Sequence, residues 1–154
     1  MFTAQPFMLM HISHARYKMA ADRTDHRLRK DFPAMTNQTL LLGRLLLAAL
    51  FVVAGFGKFN GIDGFAGMLA GKGLPAPVIL AYGVAALELL GGLAIAAGFM
   101  VRPLSIALAA FCVATAFIGH TGDTTAMLKN FAIAGGFLVL AAAGPGSLAV
   151  QREG

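Results

Sequence analysis

The chain has little charge for its length. Of its 154 residues only 12% are charged and 58% are hydrophobic, and the mean hydropathy is +0.75. Soluble globular domains average about 25% charged residues, so this composition excludes an ordinary water-soluble domain. The apolar residues fall in four separated blocks that contain scarcely any charge, which is the pattern of a protein that spans a membrane.

Cysteine is nearly absent as well. Cys112 is the only one, so the chain by itself forms no internal disulfide, no CxxC redox pair and no thiolate cluster. Its apolar setting disfavours the thiolate and predicts a small buried hydrophobic residue. No histidine lies in the four apolar blocks, the third of which ends at Gly119, and this argues against a haem held by two histidines within the bundle. The sequence also lacks a P-loop, a GxSxG nucleophile elbow and a GxGxxG dinucleotide-binding turn. No motif therefore identifies catalytic residues, and these are unknown.

The four blocks predict an all-α fold, an integral membrane four-helix bundle. Helices are favoured over a β-barrel because the blocks are continuously apolar and rich in Ala and Leu, whereas barrel strands alternate apolar and polar residues. The predicted transmembrane domain covers residues 36–150. Its spans are predicted at about residues 40–57, 77–101, 104–121 and 129–146.

Basic residues are concentrated at the beginning of the chain. Six of the twelve Lys and Arg residues precede residue 31, which fits a cytoplasmic flank better than a nucleic-acid surface. With Arg102 and Arg152 on the same side, eight basic residues oppose Lys58, Lys72 and Lys129. This asymmetry predicts that both termini are cytoplasmic, and we expect no nucleic-acid partner.

Two interpretations of residues 1–35 stay open. The segment is either a cytoplasmic basic tail or the product of a mis-assigned start, with translation beginning at Met35. A cleaved signal peptide is disfavoured because the leader is too long and only three spans would remain. At the other end, residues 151–154 are predicted to form a short cytoplasmic tail.

The connection between the first two spans is unusually apolar. Ile62, Phe65, Met68 and Leu69 have helical spacing within it. They predict a short amphipathic helix that lies in the membrane interface.

Arg44, Lys58 and Glu88 form the candidate intramembrane polar site. Glu88 lies near the middle of the second span, where a carboxylate costs several kcal/mol unless it is paired, neutralised or facing a polar cavity. Arg44 and Lys58 are fourteen positions apart on the first span, so they project from similar faces near opposite membrane surfaces. An Arg44–Glu88 ion pair and a Glu88–Lys58 contact are both geometrically open. The alternative is that both cations snorkel to the headgroups while Glu88 stays protonated.

Arg102, His120 and Asp123 are weaker candidates. Arg102 lies in the second connection, and the other two belong to the polar run of residues 120–125 that follows the third apolar block. One histidine and one aspartate do not define a metal site. We therefore expect a solvated loop there and no metal.

Short motifs follow one another in order along the chain. They are Gly43-Arg44, Gly55-Phe56-Gly57-Lys58, Gly73-Leu74-Pro75, Glu88, Gly98 with Arg102, and Gly144-Pro145-Gly146-Ser147-Leu148. In order and spacing they resemble the DoxX family of small four-helix bacterial membrane proteins over about residues 36–150.

The resemblance implies a multi-pass protein of the bacterial cytoplasmic (inner) membrane, with Arg44, Lys58 and Glu88 at family positions. It also implies a link to thiosulfate:quinone oxidoreductase or to oxidoreductase complexes that manage thiol and oxidative stress, as in some relatives. The family pattern tends to an aspartate after Ser-Leu, where this chain has Ala149. A contact through that acid is therefore not expected here.

Three functions from different classes remain open. The first is a non-catalytic or quinone-interacting membrane subunit of an oxidoreductase, with quinone as the ligand and a partner subunit that brings the redox centre. The second is a small proton-coupled transporter, although four spans without a repeat make a monomeric carrier less plausible. The third is a structural assembly protein. The partners expected are the lipid bilayer and either redox subunits or a second copy of the chain.

Overall fold

The described part of the chain, residues 37–151 of a computed structural model, contains only helices and connections. The helices are α1 (Asn37–Asn60), α2 (Ile62–Gly71), α3 (Pro77–Ala97), α4 (Val101–Gly119) and α5 (Thr124–Ala143). All of them except α2 are long and apolar enough to cross a membrane. The predicted all-α membrane fold is thus confirmed, whereas the expectations for residues 1–35 and 152–154 lie outside the described residues.

The turn between the second and third spans lies a few residues earlier in the chain than the sequence predicted. The α3 helix ends at Ala97 because Gly98 adopts a left-handed conformation with φ 79°. There the Gly98 and Phe99 amides bond back to carbonyls of the last turn at 3.1 and 2.9 Å. The α4 helix then begins at Val101. Pro103 is tolerated in its first turn, because an N–H at that position would have no partner within the helix. Arg102 accordingly lies in α4 and not in a connection.

The fourth span begins and ends before its predicted bounds. Asp123 caps α5, since its carboxylate accepts a 2.9 Å hydrogen bond from the Ala126 amide. At the other end Gly144, with φ 79°, terminates the helix before Pro145. The polar run of residues 120–125 is therefore not only a loop, because its last two residues form the start of α5.

The bundle is built from two helix pairs. The α1 helix packs mainly on α3, and α4 packs mainly on α5, with fewer contacts between the pairs. Phe51 of α1 joins them, since its ring meets that of Phe137 edge-on at 5.1 Å and that of Phe111 at 6.2 Å. Cys112 is buried in the same core. A cavity lies between the two helix pairs, on the side of α2.

The predicted short helix between the first two spans is α2. It buries Ala66 and Leu69 against Ala81 of α3, while Met68 stays exposed. This packing holds α2 over the ends of the longer helices.

Large apolar side chains cover the outside of the bundle. Val53 and Ile79 are 72% and 75% exposed, and α4 and α5 carry similar residues in Phe117 and Val139. Such a surface is stable against lipid and unstable against water. The four long helices therefore form a membrane-embedded bundle.

Candidate functional site

Glu88 contacts Lys58, and not Arg44. The Lys58 ammonium nitrogen (Nζ) lies 2.6 Å from the Glu88 carboxylate oxygen Oε2. Glu88 comes from the middle of α3 and its side chain is 8% exposed, while Lys58 comes from the last turn of α1 and is 25% exposed. The sequence left an Arg44–Glu88 pair and a Lys58–Glu88 contact open, and the structure contains the second, at the α2 end of the bundle.

Gly55 brings the two backbones together beside this pair. A Cβ atom added to Gly55 would lie 2.5 Å from the Leu89 amide nitrogen and 2.9 Å from the Ala85 carbonyl oxygen. Gly92 makes a similar approach from α3, where an added Cβ would lie 3.0 Å from the Ala48 carbonyl oxygen. Small residues permit such contact between membrane helices. The short distance between α1 and α3 lets the Lys58 side chain reach the centre of α3.

The interfacial helix supplies the third side of the Lys58 environment. The Lys58 ammonium lies 5.3 Å from the centroid of the Phe65 ring, a distance at which a cation is attracted to an aromatic face. Because Phe65 belongs to α2, the ammonium is enclosed by α1, α2 and α3 together.

A cavity of about 660 Å³ opens beside the pair. All five helices contribute to its wall, which is mostly apolar. The residues that carry polar groups or sulfur in that wall are Lys58, Met68, Lys72, Glu88, Cys112, Thr115, His120 and Asn130. A largely apolar cavity of this size with a few polar groups is typical of small-molecule sites.

Thr115 and Asn130 are cavity residues that the sequence analysis missed. The Thr115 hydroxyl donates to the Phe111 carbonyl oxygen at 2.6 Å and lies 3.5 Å from the Asn130 amide oxygen. The Asn130 amide nitrogen donates to the Ala126 carbonyl oxygen at 3.0 Å. The available signal was an amide inside the predicted fourth span, which a search for charged residues passes over.

Arg44 does not snorkel to a membrane surface as its position suggested. Its side chain is only 2% exposed, and its two terminal nitrogens donate to the carbonyl oxygens of Pro145 and Leu148 at 2.6 and 2.7 Å. These carbonyls follow α5 and offer acceptors inside the protein. The Arg44 Nε has no hydrogen-bond partner in the described part of the chain. Arg44 therefore fastens the segment after α5 to α1.

The segment of residues 144–151 closes the end of the bundle opposite α2. Asn37 accepts a 3.1 Å hydrogen bond from the Ser147 amide, and the Val150 amide donates to the Ala97 carbonyl oxygen at 3.0 Å. Gly98 permits this contact, because a Cβ added there would lie 2.5 Å from the Ala149 Cβ and 2.7 Å from an Arg44 nitrogen. The contact therefore forms through backbone carbonyls, without an acid at position 149. We call Arg44, Gly98 and residues 144–151 the Arg44 cluster.

The three weaker candidates lie in different places. Arg102 lies beside the Arg44 cluster, since a Cβ added to Gly144 would be 3.1 Å from one of its guanidinium nitrogens. His120 follows α4 and reaches the edge of the cavity, and Asp123 caps α5. Within residues 37–151 no group of three or more His, Cys, Asp or Glu side chains is placed to hold a metal ion.

Comparison with known proteins extends over most of the chain. The DoxX family model matches residues 39–121. The Inner membrane protein YphA of Escherichia coli (strain K12) is 35% identical over 133 residues, which are 80% of this chain and 95% of the relative. The Inner membrane protein YqjF of the same strain is 36% identical over 121 residues, or 73% of this chain and 89% of the relative. No solved structure matches.

Proposed function

The chain belongs to the DoxX family and is a multi-pass inner-membrane protein, and we propose that it is the quinone-binding membrane subunit of an oxidoreductase complex. In this proposal the cavity beside Lys58 and Glu88 binds the quinone ring. A partner subunit supplies the redox centre, and the residues of this chain bind and orient the ligand.

The observation that supports the proposal most strongly is an ion pair on the wall of an apolar cavity. A quinone is an apolar ring with carbonyl oxygens that accept hydrogen bonds. The Lys58 ammonium has three N–H donors, and one of them is used on Glu88. Another donor is available to a carbonyl oxygen in the cavity, and Glu88 and Phe65 hold the ammonium at that position. The cavity thus combines an apolar space with an oriented donor.

The pair could instead serve only to hold α1 against α3. The close approach at Gly55 favours this structural alternative, because the two helices already pack tightly beside the pair. A proton-coupled transporter would use the same residues, with Glu88 alternating between paired and protonated states. The three functions predict different consequences when the charges are removed.

The test is binding of decylubiquinone to the purified protein in detergent, measured by calorimetry against empty micelles. We expect Lys58→Met to lower the affinity at least tenfold, because the charged donor is lost. Glu88→Gln should lower it less, since the ammonium remains but is no longer held by a carboxylate. Lys129→Met is the matched control, because Lys129 is exposed and does not line the cavity.

Stability separates the proposal from the structural alternative. Lys58→Met leaves the Glu88 carboxylate without its partner and should cost about 1–2 kcal/mol of unfolding free energy, less than a fully buried pair would. The double variant Lys58→Met with Glu88→Leu should regain most of that stability without regaining the ligand. A wild-type protein that binds no quinone, with charge variants that change stability alone, would favour the structural role. Flux of a solute that depends on pH and on Glu88 in proteoliposomes would favour the transporter.

Mild detergent extraction tests the expected partners. Co-purification of a flavin- or haem-containing subunit would support the redox complex. Isolation of the chain only as a homo-oligomer without a chromophore would count against it.

A further inference from the structure

The cavity has a second set of polar groups, on the helix pair that does not carry the ion pair. Lys58 and Glu88 belong to the α1–α3 pair, whereas Thr115 and Asn130 belong to α4 and α5. All four residues line the same cavity, and most of the wall between them is apolar. The cavity therefore offers polar groups from both helix pairs, separated by an apolar space.

Both sets of polar groups have donors to spare. An asparagine amide carries two N–H groups, and in Asn130 the Ala126 carbonyl accepts one of them. The second has no hydrogen bond to any described residue, just as the Lys58 ammonium makes a single hydrogen bond there, to Glu88. The single hydrogen of the Thr115 hydroxyl is donated to the Phe111 carbonyl oxygen, and the hydroxyl oxygen lies 3.5 Å from the Asn130 amide oxygen, so Thr115 packs beside that amide and limits its movement. A free donor that lines an apolar cavity is available to a ligand that carries an acceptor.

We infer that Asn130, which lies beside Thr115, is the second binding contact of the cavity, and that the ligand carries two hydrogen-bond-accepting oxygens on opposite sides of an apolar ring. The inference rests on the proposed function and specifies its ligand class as a para-quinone held at both carbonyls. Lys58 holds one oxygen and the Asn130 amide holds the other. A lipophilic ligand with one oxygen would use only the Lys58 wall, because a charged donor makes the stronger hydrogen bond.

The test compares a ligand that has two opposite carbonyls with one that has a single carbonyl. They are a decyl-substituted para-naphthoquinone and the matching decyl-substituted tetralone, which lacks the second carbonyl and the adjoining ring double bond, and each is titrated into the purified protein in detergent micelles. Asn130→Leu should lower the affinity for the quinone about three- to tenfold, the usual effect of one lost hydrogen bond. The affinity for the tetralone should stay within about twofold. Asn130→Ala should give the same selectivity if the leucine variant folds poorly.

Thr115→Val should weaken quinone binding less than Asn130→Leu, because Thr115 acts through the amide. Its matched control is Thr121→Val. The Thr121 hydroxyl donates to the Phe117 carbonyl oxygen at 2.7 Å, also four residues earlier in the chain, but Thr121 does not line the cavity. Thermal unfolding by circular dichroism checks that each variant is folded.

The outcomes distinguish this inference from the proposed function. Quinone binding that is unaffected by Asn130→Leu and Asn130→Ala, or a loss that is equal for the two ligands, would overturn the second contact and leave the quinone site standing. A wild-type protein that binds neither ligand would overturn both. Selective loss of quinone affinity supports both.

Discussion

Arg44 and Lys58 lie on the same helix, near opposite ends of the bundle, and their environments differ. Arg44 is almost completely buried, and two backbone carbonyls accept its hydrogen bonds. Lys58 remains a quarter exposed, contacts one carboxylate and borders a cavity of about 660 Å³. The first cation holds a chain segment in place, whereas the second lines a cavity and makes one hydrogen bond among the described residues, to Glu88.

This difference shows why burial alone does not identify a functional charge. A buried cation needs compensation, and in the Arg44 cluster backbone carbonyls supply it at the two terminal nitrogens, although not at Nε. The Lys58–Glu88 pair is only partly compensated by protein, and a ligand can supply the remaining hydrogen bond. A cation that lines a cavity and keeps an unused N–H donor, as Lys58 does, is therefore the better candidate for binding a ligand.

Of the variants that test the difference between Arg44 and Lys58, Arg44→Met is expected to have the largest effect. The variant leaves the Pro145 and Leu148 carbonyls without their donors, and we expect about 3 kcal/mol of lost unfolding free energy, measured by SDS titration in mixed micelles. Lys129→Met is the control for removing a cation from an exposed position. Quinone affinity of the folded fraction should stay unchanged. A loss of stability below about 1 kcal/mol would contradict the anchoring role of Arg44.

Gly55→Ala separates the two regions by changing only the α2 end. The added methyl group would collide with the backbone of Ala85 and Leu89, so we expect a loss of about 1–3 kcal/mol and weaker quinone binding as Lys58 moves away from Glu88.

Gly57→Ala provides a matched control for this change. No atom lies within 4 Å of a Cβ added to Gly57, and alanine is favoured over glycine within a helix by about 1 kcal/mol. Its stability should be equal to that of the wild type or higher. Equal behaviour of the two variants would rule out the close helix contact.

Asn37→Ala is expected to give the smallest effect, at the Arg44 end. The variant loses an exposed hydrogen bond to the Ser147 amide, so about 0.5 kcal/mol of unfolding free energy is expected to disappear in the same titration. Gln38→Ala, at the next exposed position of the helix, serves as the control. A change in quinone affinity would show that the two ends are coupled and would break the comparison.

The candidate site residues differ in how easily they are recognised in the sequence. Arg44, Lys58 and Glu88 were predicted because a charge inside an apolar span is costly and therefore informative. Thr115 and Asn130 were missed because uncharged polar residues are tolerated in membrane helices. The start of the third span was predicted at residue 104, with Arg102 in the connection, whereas α4 begins at Val101. The helix can include Pro103 because a proline in the first turn of a helix sacrifices no hydrogen bond.

Composition and the spacing of apolar residues were sufficient to determine the membrane setting, the helical class and the four spans, because hydrocarbon permits only structures whose backbone groups are paired internally. The choice of partner for Glu88 required the tertiary structure. The sequence left contacts with Arg44 and with Lys58 both open, and only the packing of α1 on α3 beside Gly55 shows that Glu88 meets Lys58. The folding of residues 144–151 back onto Arg44 likewise joins parts of the chain that are about a hundred positions apart, beyond the reach of any local pattern.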